Sequence, residues 1–352
     1  MTAPLNRRMI LTTLAVAFTV VASLGCTPSG TEVVVYTSVD EVFSAPILKE
    51  FERQKGIRVR ARYDVEADKT TGLYHLLVAE HQSGRPRADV FWNSEVSRTL
   101  LLAEQGVLQP YASPSAADLP SEYRSEGDLW AGFGVRARII IYNRRRVPEA
   151  ELPESIQDLT HERWRDEAGI AHPLFGTTLT HVGALWATLG KERTEAYFRA
   201  LLANGVKVLA GNSTVRDRVA SGEIKIGLTD TDDAVVALRK RLPVGIVFPD
   251  QKTLWSGREV PLGTFVIPNT VSLVQGAPNA AEGQKLIDYL LSRETEAELA
   301  KSASAQIPVR QGVDPPEIPG VPVDLRRMNV SFADVTLGVQ DARQFLEQTF
   351  VR

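Results

Sequence analysis

Between Glu223 and Ala234 the chain reads EIKIGLTDTDDA, which sets Asp230, Asp232 and Asp233 within four consecutive positions. Carboxylate oxygens are hard donors, suited to Ca, Mg, Mn or ferric iron, and they pair equally with an ammonium or guanidinium group. Paired carboxylates also serve as general acid and base, as they do across a glycosidase cleft. A helix start asks for the same residue types. Thr229, Asp230 or Thr231 would cap a helix over 232–241, and acids in its first turn sit well in the helix dipole. One aspartate satisfies a cap, so the cluster invites a cation or another donor-rich partner; spacing alone leaves both readings open.

The elements around the cluster follow from periodicity. Ile224, Ile226 and Leu228 alternate with Lys225 and Gly227, the two-residue period of a strand, so the aspartates fall where a strand end opens onto a helix. Upstream, EVVVY at 32–36 is a short apolar run of the kind a doubly covered parallel strand shows. A helix over 42–54, a strand over 57–63, a helix over 70–81 and the strand ADVFW at 88–92 follow. Strand, helix, strand, helix, strand predicts an α/β fold with a parallel sheet. Ser38, Asp40 and Glu41 after the first strand and Asn93 after the third then share the crevice at the strands' carboxyl ends. Within 130–143 (WAGFGVRARIIIYN) the strong strand Ile139 to Tyr142 reads as a first crossing into a second lobe. There the pattern predicts a strand at 170–173, a polar loop at 176–180, helices at 182–189, 194–204 and 213–221, and a strand at 206–209. VGIVF at 244–248 reads as the return crossing, and a strand over 264–274 with a helix over 280–292 rejoins the first lobe.

Arg7 and Arg8 precede an apolar run from Met9 to about Val21, and small residues lead to Cys26, the order of an export signal. Cys26 is the only cysteine, so no intramolecular disulfide forms, and its position suggests the lipid-modified first residue of a lipoprotein. Leu24, Gly25 and Cys26 fit such a signal while Ser23 departs from it, and the arginine pair leaves Sec and twin-arginine export both open. The remaining chain, about 325 residues at 43% hydrophobic and 24% charged overall, suffices for two globular domains. A net charge of -3 supplies no basic surplus for nucleic acid.

The succession EVVVYTSVDE, FERQKGIRVR, ADVFWNSE, AEQGVLQPY, WAGFGVRARIIIYN, GNSTVRDRVASGEIKIGLTDTDD and AAEGQKLIDYLLS resembles the periplasmic solute-binding proteins of ABC importers. Within them it is most similar to the ferric-iron-binding branch. The resemblance implies a type II fold of two lobes, each a mostly parallel sheet flanked by helices, with two crossing strands as hinge. It divides the chain into an export signal (1–25), a tether (26–30), lobe 1 (31–138 with 249–300) and lobe 2 (139–248 with 301–352). It also implies hinge closure over a ligand, delivery to a permease and its ATPase, and a monomer without catalytic activity. Ferric members end the equivalent strand with an Asn, a spacer and two adjacent tyrosines whose phenolates hold iron; here Asp230, Thr231, Asp232 and Asp233 occupy those places. The expected cargo is therefore a cation held by Asp230, Asp232, Asp233 and Glu66, most simply iron or another metal ion, with a small organic cation as the alternative. The branch's bridging anion would fall on Gly176, Thr177, Thr178 and Asn212, with Arg138 as a further contact.

His75, His81, His172 and His181 lack metal-ligand spacing and read as packing or surface. Trp92 reads as packing or as a cleft-lining ring that stacks on an organic cation, Arg136 and Arg138 as anion contacts or interlobe salt bridges, and Arg144 to Arg146 as a solvated loop. No Gly-x-Ser-x-Gly elbow, His-Glu-x-x-His helix or P-loop is present, and the one cysteine lies in the signal region, which speaks against a hydrolase.

Overall fold

A computed structural model describes residues 31–64, 71–255, 258–319, 321–322 and 324–351. The export signal, Cys26 and Glu66 lie outside the described residues. In chain order the first half contains β1 (Glu32–Thr37), α1 (Glu41–Lys55), β2 (Arg58–Tyr63), α2 (Thr71–Gln82), β3 (Val90–Asn93), α3 (Ser97–Glu104), β4 (Leu108–Gln109) and β5 (Ala131–Asn143). Then come β6 (Ala168–Ala171), α4 (Gly176–Leu189), α5 (Lys191–Ala203), β7 (Lys207–Leu209), α6 (Asn212–Ser221), β8 (Ile226–Asp230), α7 (Thr231–Arg239) and β9 (Val244–Val247). The chain closes with β10 (Val266–Val274), α8 (Ala280–Leu290), α9 (Arg293–Lys301) and α10 (Phe332–Phe350).

β1 lies parallel between β2 and β3, as its two covered faces require. Among the described residues the strands join one sheet in the order β2-β1-β3-β10-β5-β8-β6-β7, with β4 against β10 and β9 against β5. β5 serves both ends of it. Its residues Ala131 to Ala137 pair antiparallel with β10, and Arg138 to Tyr142 pair antiparallel with β8. The partner changes between two adjacent residues, Ala137 and Arg138, so one strand passes through both lobes of this α/β fold. All its residues are buried, which the glycines and arginines of AGFGVRAR hide from a hydropathy reading.

The sequence expectation lacked α3 and α9, and three further differences concern the second lobe. Gly176 to Thr180 form the first turn of α4, not a loop, because Gly176 takes φ 54 and turns the chain directly into the helix. β9 is a partner of β5 beside the second-lobe strands, and the first strand to reach the other lobe again is β10. α10, which the sequence reading passed over, packs on α4: Val335, Ala342, Phe345 and Leu346 share a core with Val182, Leu185 and Leu189. Here two glycines set the distance between helices. A Cβ on Gly183 would stand 2.3 Å from the Val335 carbonyl oxygen, and one on Gly338 would stand 2.3 Å from that of Gly183.

Candidate functional site

A cleft of about 630 Å³ opens where β5 changes partner, lined from one side by Asp40, Phe43, Ser94 and Glu95 and from the other by residues of α4, α6 and α7. Four helices begin at it. α1 follows Asp40, α4 follows Phe175, α6 follows Gly211 and α7 follows Asp230, and none of these starts has a side-chain cap. Elsewhere the N-cap residues of α3, α5 and α8 also give no side-chain cap, whereas Ser292 and Ser331 cap α9 and α10 by accepting from the Thr295 and Asp334 amides.

β8 delivers Asp230 as its last residue, opposite Arg138 on β5. The Arg138 side chain is fully buried, and its Nη1 reaches Asp230 Oδ1 at 2.7 Å. Nη1 also lies 3.0 Å from Asn212 Oδ1 and 3.3 Å from Thr177 Oγ1, while Nη2 lies 3.3 Å from Thr178 Oγ1. Thr177 Oγ1 and Asn212 Nδ2 donate to the other carboxylate oxygen, Oδ2, at 2.7 and 3.2 Å. A carboxylate and a guanidinium removed together from water need this many partners, and here a neutral hydroxyl and amide complete the pair.

One step toward the opening, Arg136 Nη1 stands 3.5 Å from Asp232 Oδ2 and 3.9 Å from Asp230 Oδ2. Its Nη2 donates to the Ser94 carbonyl after β3, so this guanidinium joins the two lobes at the back of the cleft. Burial works against its charge, but Asp232 above all, then Asp230, Asp40 and Asp233, outweigh it and raise the Arg136 pKa further. Asp233 faces Arg216 Nη1 at 3.2 Å, and Asp217 lies 2.8 Å from Arg216 Nε. A second link between lobes runs from Thr180 Oγ1 of α4 to Glu95 Oε2 at 3.1 Å. The Glu95 carboxylate also receives the Ser97 and Arg98 amides at 2.7 and 3.0 Å, closing the start of α3.

The expected site residues thus separate by depth. Asp40, Gly176, Thr177, Thr178, Asn212, Asp230, Asp232 and Asp233 all line the cleft, with Arg138 bonded beneath them. Ser38 and Asn93 lie below it, where Ser38 Oγ donates to Asn93 Oδ1 at 2.6 Å and ties β1 to β3. Glu41 is exposed on α1 and does not line the cleft, and Glu66 lies outside the described residues. Among the described residues no group of three or more His, Cys, Asp or Glu is placed to share a metal ion. Each of the three aspartates of the cluster faces an arginine instead.

Arg216 and Glu95 were not singled out from sequence. Arg216 stands one helical turn after Asn212, so the GNSTVRD spacing puts both on one face of α6. Glu95 follows the expected strand end at Asn93 by two positions, but nothing in its local spacing distinguishes it from a surface acid. His172 lines the cleft beside Phe175, their rings 5.3 Å apart, while His181 is buried against Phe265. Burial, then Arg138, pushes His181 well below the usual histidine range, as expected of a packed neutral ring. Trp92 is fully buried 6.0 Å from Phe133, in the packing role.

With this geometry in hand, comparison with known proteins identifies the lineage: residues 87–333 match the bacterial extracellular solute-binding protein family. The chain belongs to that family. It is 28% identical over 336 residues to iron uptake protein A1 of Synechocystis sp., across 88% of each chain. Its fold is that of iron-bound HitA from Pseudomonas aeruginosa, with a TM-score of 0.78 at 21% identity over 90% of this chain and 99% of that one. A Trichodesmium protein solved with iron and citrate ligands aligns at a TM-score of 0.73 and 23% identity, over 90% of this chain and 98% of the other. These neighbours are two-lobed periplasmic binding proteins, the architecture to which the sequence pattern pointed.

Proposed function

We propose that this family member is the extracytoplasmic receptor of an ABC importer, closing lobes 31–138 with 249–300 and 139–248 with 301–352 over a cargo and passing it to a permease and its ATPase. The observation that carries this reading is the cleft itself, set where β5 changes partner and bridged behind by Arg136 and Thr180. A cavity hinged at its back suits capture and release. The names of the relatives favour iron as the cargo. In this chain the metal would arrive with an anion, because Arg136 and Arg216 beside Asp232 and Asp233 repel a bare cation. Asp40, Asp232 and Asp233 would then face the metal, and the start of α4 with Asn212 the anion. The same arginines disfavour a polyamine-like cargo. Native mass spectrometry and metal analysis of protein purified without chelator should find one metal together with an anion; a metal-free organic ligand would remove iron while leaving the receptor role.

We also propose that Cys26 carries a lipid that holds the protein to the membrane surface. Labelled palmitate should be incorporated and lost in Cys26→Ala, and an unlabelled wild type would leave an ordinary cleaved signal.

A further inference from the structure

Charge is distributed unevenly over the first lobe. β1 runs between β2 and β3 and all three are parallel, so their carboxyl ends lie toward the cleft and their amino ends at the opposite edge of the sheet. At that far edge Glu32 pairs with Arg58, and the Arg58 amide donates to the Thr31 carbonyl at 2.9 Å. Val35 pairs with Val90, which brings the chain entering β3 to the other side of β1. The segments entering β2 and β3 therefore flank the start of β1, and they carry Lys55, Arg58, Arg85 and Arg87, all exposed.

The acids of the same segments are withdrawn. Glu52 Oε1 accepts the Val59 amide at 2.6 Å, and Glu80 accepts from the Tyr36 hydroxyl and the Arg87 amide at 2.8 and 2.9 Å. Asp89 accepts from the Val34 and Asn279 amides at 2.7 and 2.6 Å, and the half-buried Glu32 lies 3.5 Å from Arg60 Nη1. Over 50–64 and 79–92 every exposed charged residue is basic, in a chain whose net charge is -3, so the sign of this edge is reversed against the whole. Protection of an edge strand explains Arg60 and Arg62 on β2, which has no outer neighbour among the described residues, but not Arg85 and Arg87 before β3.

The second observation is where the chain enters. Thr31, the first described residue, emerges between the two basic segments. Residues 26–30 separate it from Cys26, a span of at most about 17 Å. We infer that lobe 1 rests on an anionic lipid surface by the amino-terminal edge of its sheet, with Lys55, Arg58, Arg85 and Arg87 meeting the headgroups and the cleft held at the opposite end. This extends the Cys26 anchor and rests on that reading for the choice of a bilayer. A tether so short keeps the basic segments within about two Debye lengths of the surface. The attraction is reversible, so the lobe can leave the surface to meet a permease while the lipid keeps it near.

The chain from residue 27 onward holds every described element and lacks the lipid, so its binding to vesicles reports this surface alone. In low salt it should sediment with phosphatidylcholine vesicles containing about 30% phosphatidylglycerol and not with phosphatidylcholine alone, and about 0.5 M salt should release it. Each basic residue near an anionic surface is worth about fivefold in partition, so Arg58→Gln, Arg85→Gln and Arg87→Gln together should weaken binding by roughly 10²-fold. Arg144→Gln, Lys191→Gln and Arg193→Gln remove the same charge from exposed positions of the second lobe and should weaken it by less than about threefold. Equal binding to neutral vesicles, no binding to anionic ones, or equal losses from the two triple variants overturns the inference. Failure on anionic vesicles alongside binding to soluble heparin overturns it too, by making the partner a soluble polyanion. Each of these results leaves the cargo receptor standing, and the palmitate label decides Cys26 separately.

Discussion

Asp230 and Asp250 are buried alike, at 2% and 1% exposure, and both belong to the stretch of chain that leaves and re-enters the second lobe, yet they are answered differently. Asp230 meets the Arg138 guanidinium at 2.7 Å. Asp250 meets only neutral donors, Ser155 Oγ at 2.5 Å and the Trp255 indole at 2.9 Å on Oδ1, with the Ile156 amide at 3.5 Å on Oδ2. Burial pushes the Asp250 carboxyl up to about 6, and the hydroxyl and indole only moderate it. At Asp230 the chain supplies full positive charge; at Asp250, which fastens the return passage, dipoles suffice.

The sharpest way to break the contrast is Arg138→Met, which leaves Asp230 with neutral hydrogen-bond partners and only the more distant Arg136, at 3.9 Å, as a charge. Removing one member of a buried ion pair costs about 3–5 kcal/mol, to be read from urea unfolding. A loss under about 1 kcal/mol would show that Thr177 and Asn212 carry the carboxylate unaided. Next comes Asp250→Asn. The folded pKa of Asp250 lies above the ordinary 3.8, so between about 4 and 6 the folded chain holds the proton and the unfolded chain does not. Wild-type stability should fall through that window as pH rises, by on the order of 2–3 kcal/mol relative to the Asn variant, whose own curve lacks this slope. Parallel curves for the two proteins would place Asp250 among ordinary carboxylates. The smallest effect expected on stability belongs to Asp232→Asn with Asp233→Asn, about 1 kcal/mol at the start of α7. Affinity for citrate should rise by roughly three- to tenfold as Arg136 and Arg216 lose their carboxylates, whereas a fall of about 10²-fold would return the aspartates to the role of ligands.

The sequence reading found the two lobes because their strands are short apolar runs between amphipathic helices, and periodicity reports such elements directly. It placed Asp230, Asp232 and Asp233 at a strand end by the same logic, and Gly176 to Asn212 by family pattern. It left the arginines' carboxylate partners unassigned for a physical reason. Arg136 and Arg138 sit two apart on β5 and therefore share a face of that strand, but only the pairing of β5 with β8 brings Asp230 opposite Arg138. Arg216 meets Asp233 from a different helix, across 17 residues of chain. Charge pairing of this kind depends on tertiary register, which local spacing does not contain. α10, FADVTLGVQDARQFLEQTF, was passed over although Ser331 caps it; its one unfavourable local feature is Gly338 in the interior, which lowers helix propensity.

That glycine bears on how the chain comes to be folded. Gly338 lies against Gly183, 155 positions earlier, and Val182 and Leu185 of α4 share a core with Val335, Ala342, Phe345 and Leu346. Until the residues of α10 are available, this part of the second lobe's core stays incomplete. Contacts so distant in sequence form late and slowly, and an unfinished lobe of this kind is prone to associate with its neighbours. The order of synthesis thus keeps that lobe open until residues 335–346 have been made. A C-terminal truncation removing α10 should leave an aggregating chain, not a smaller receptor.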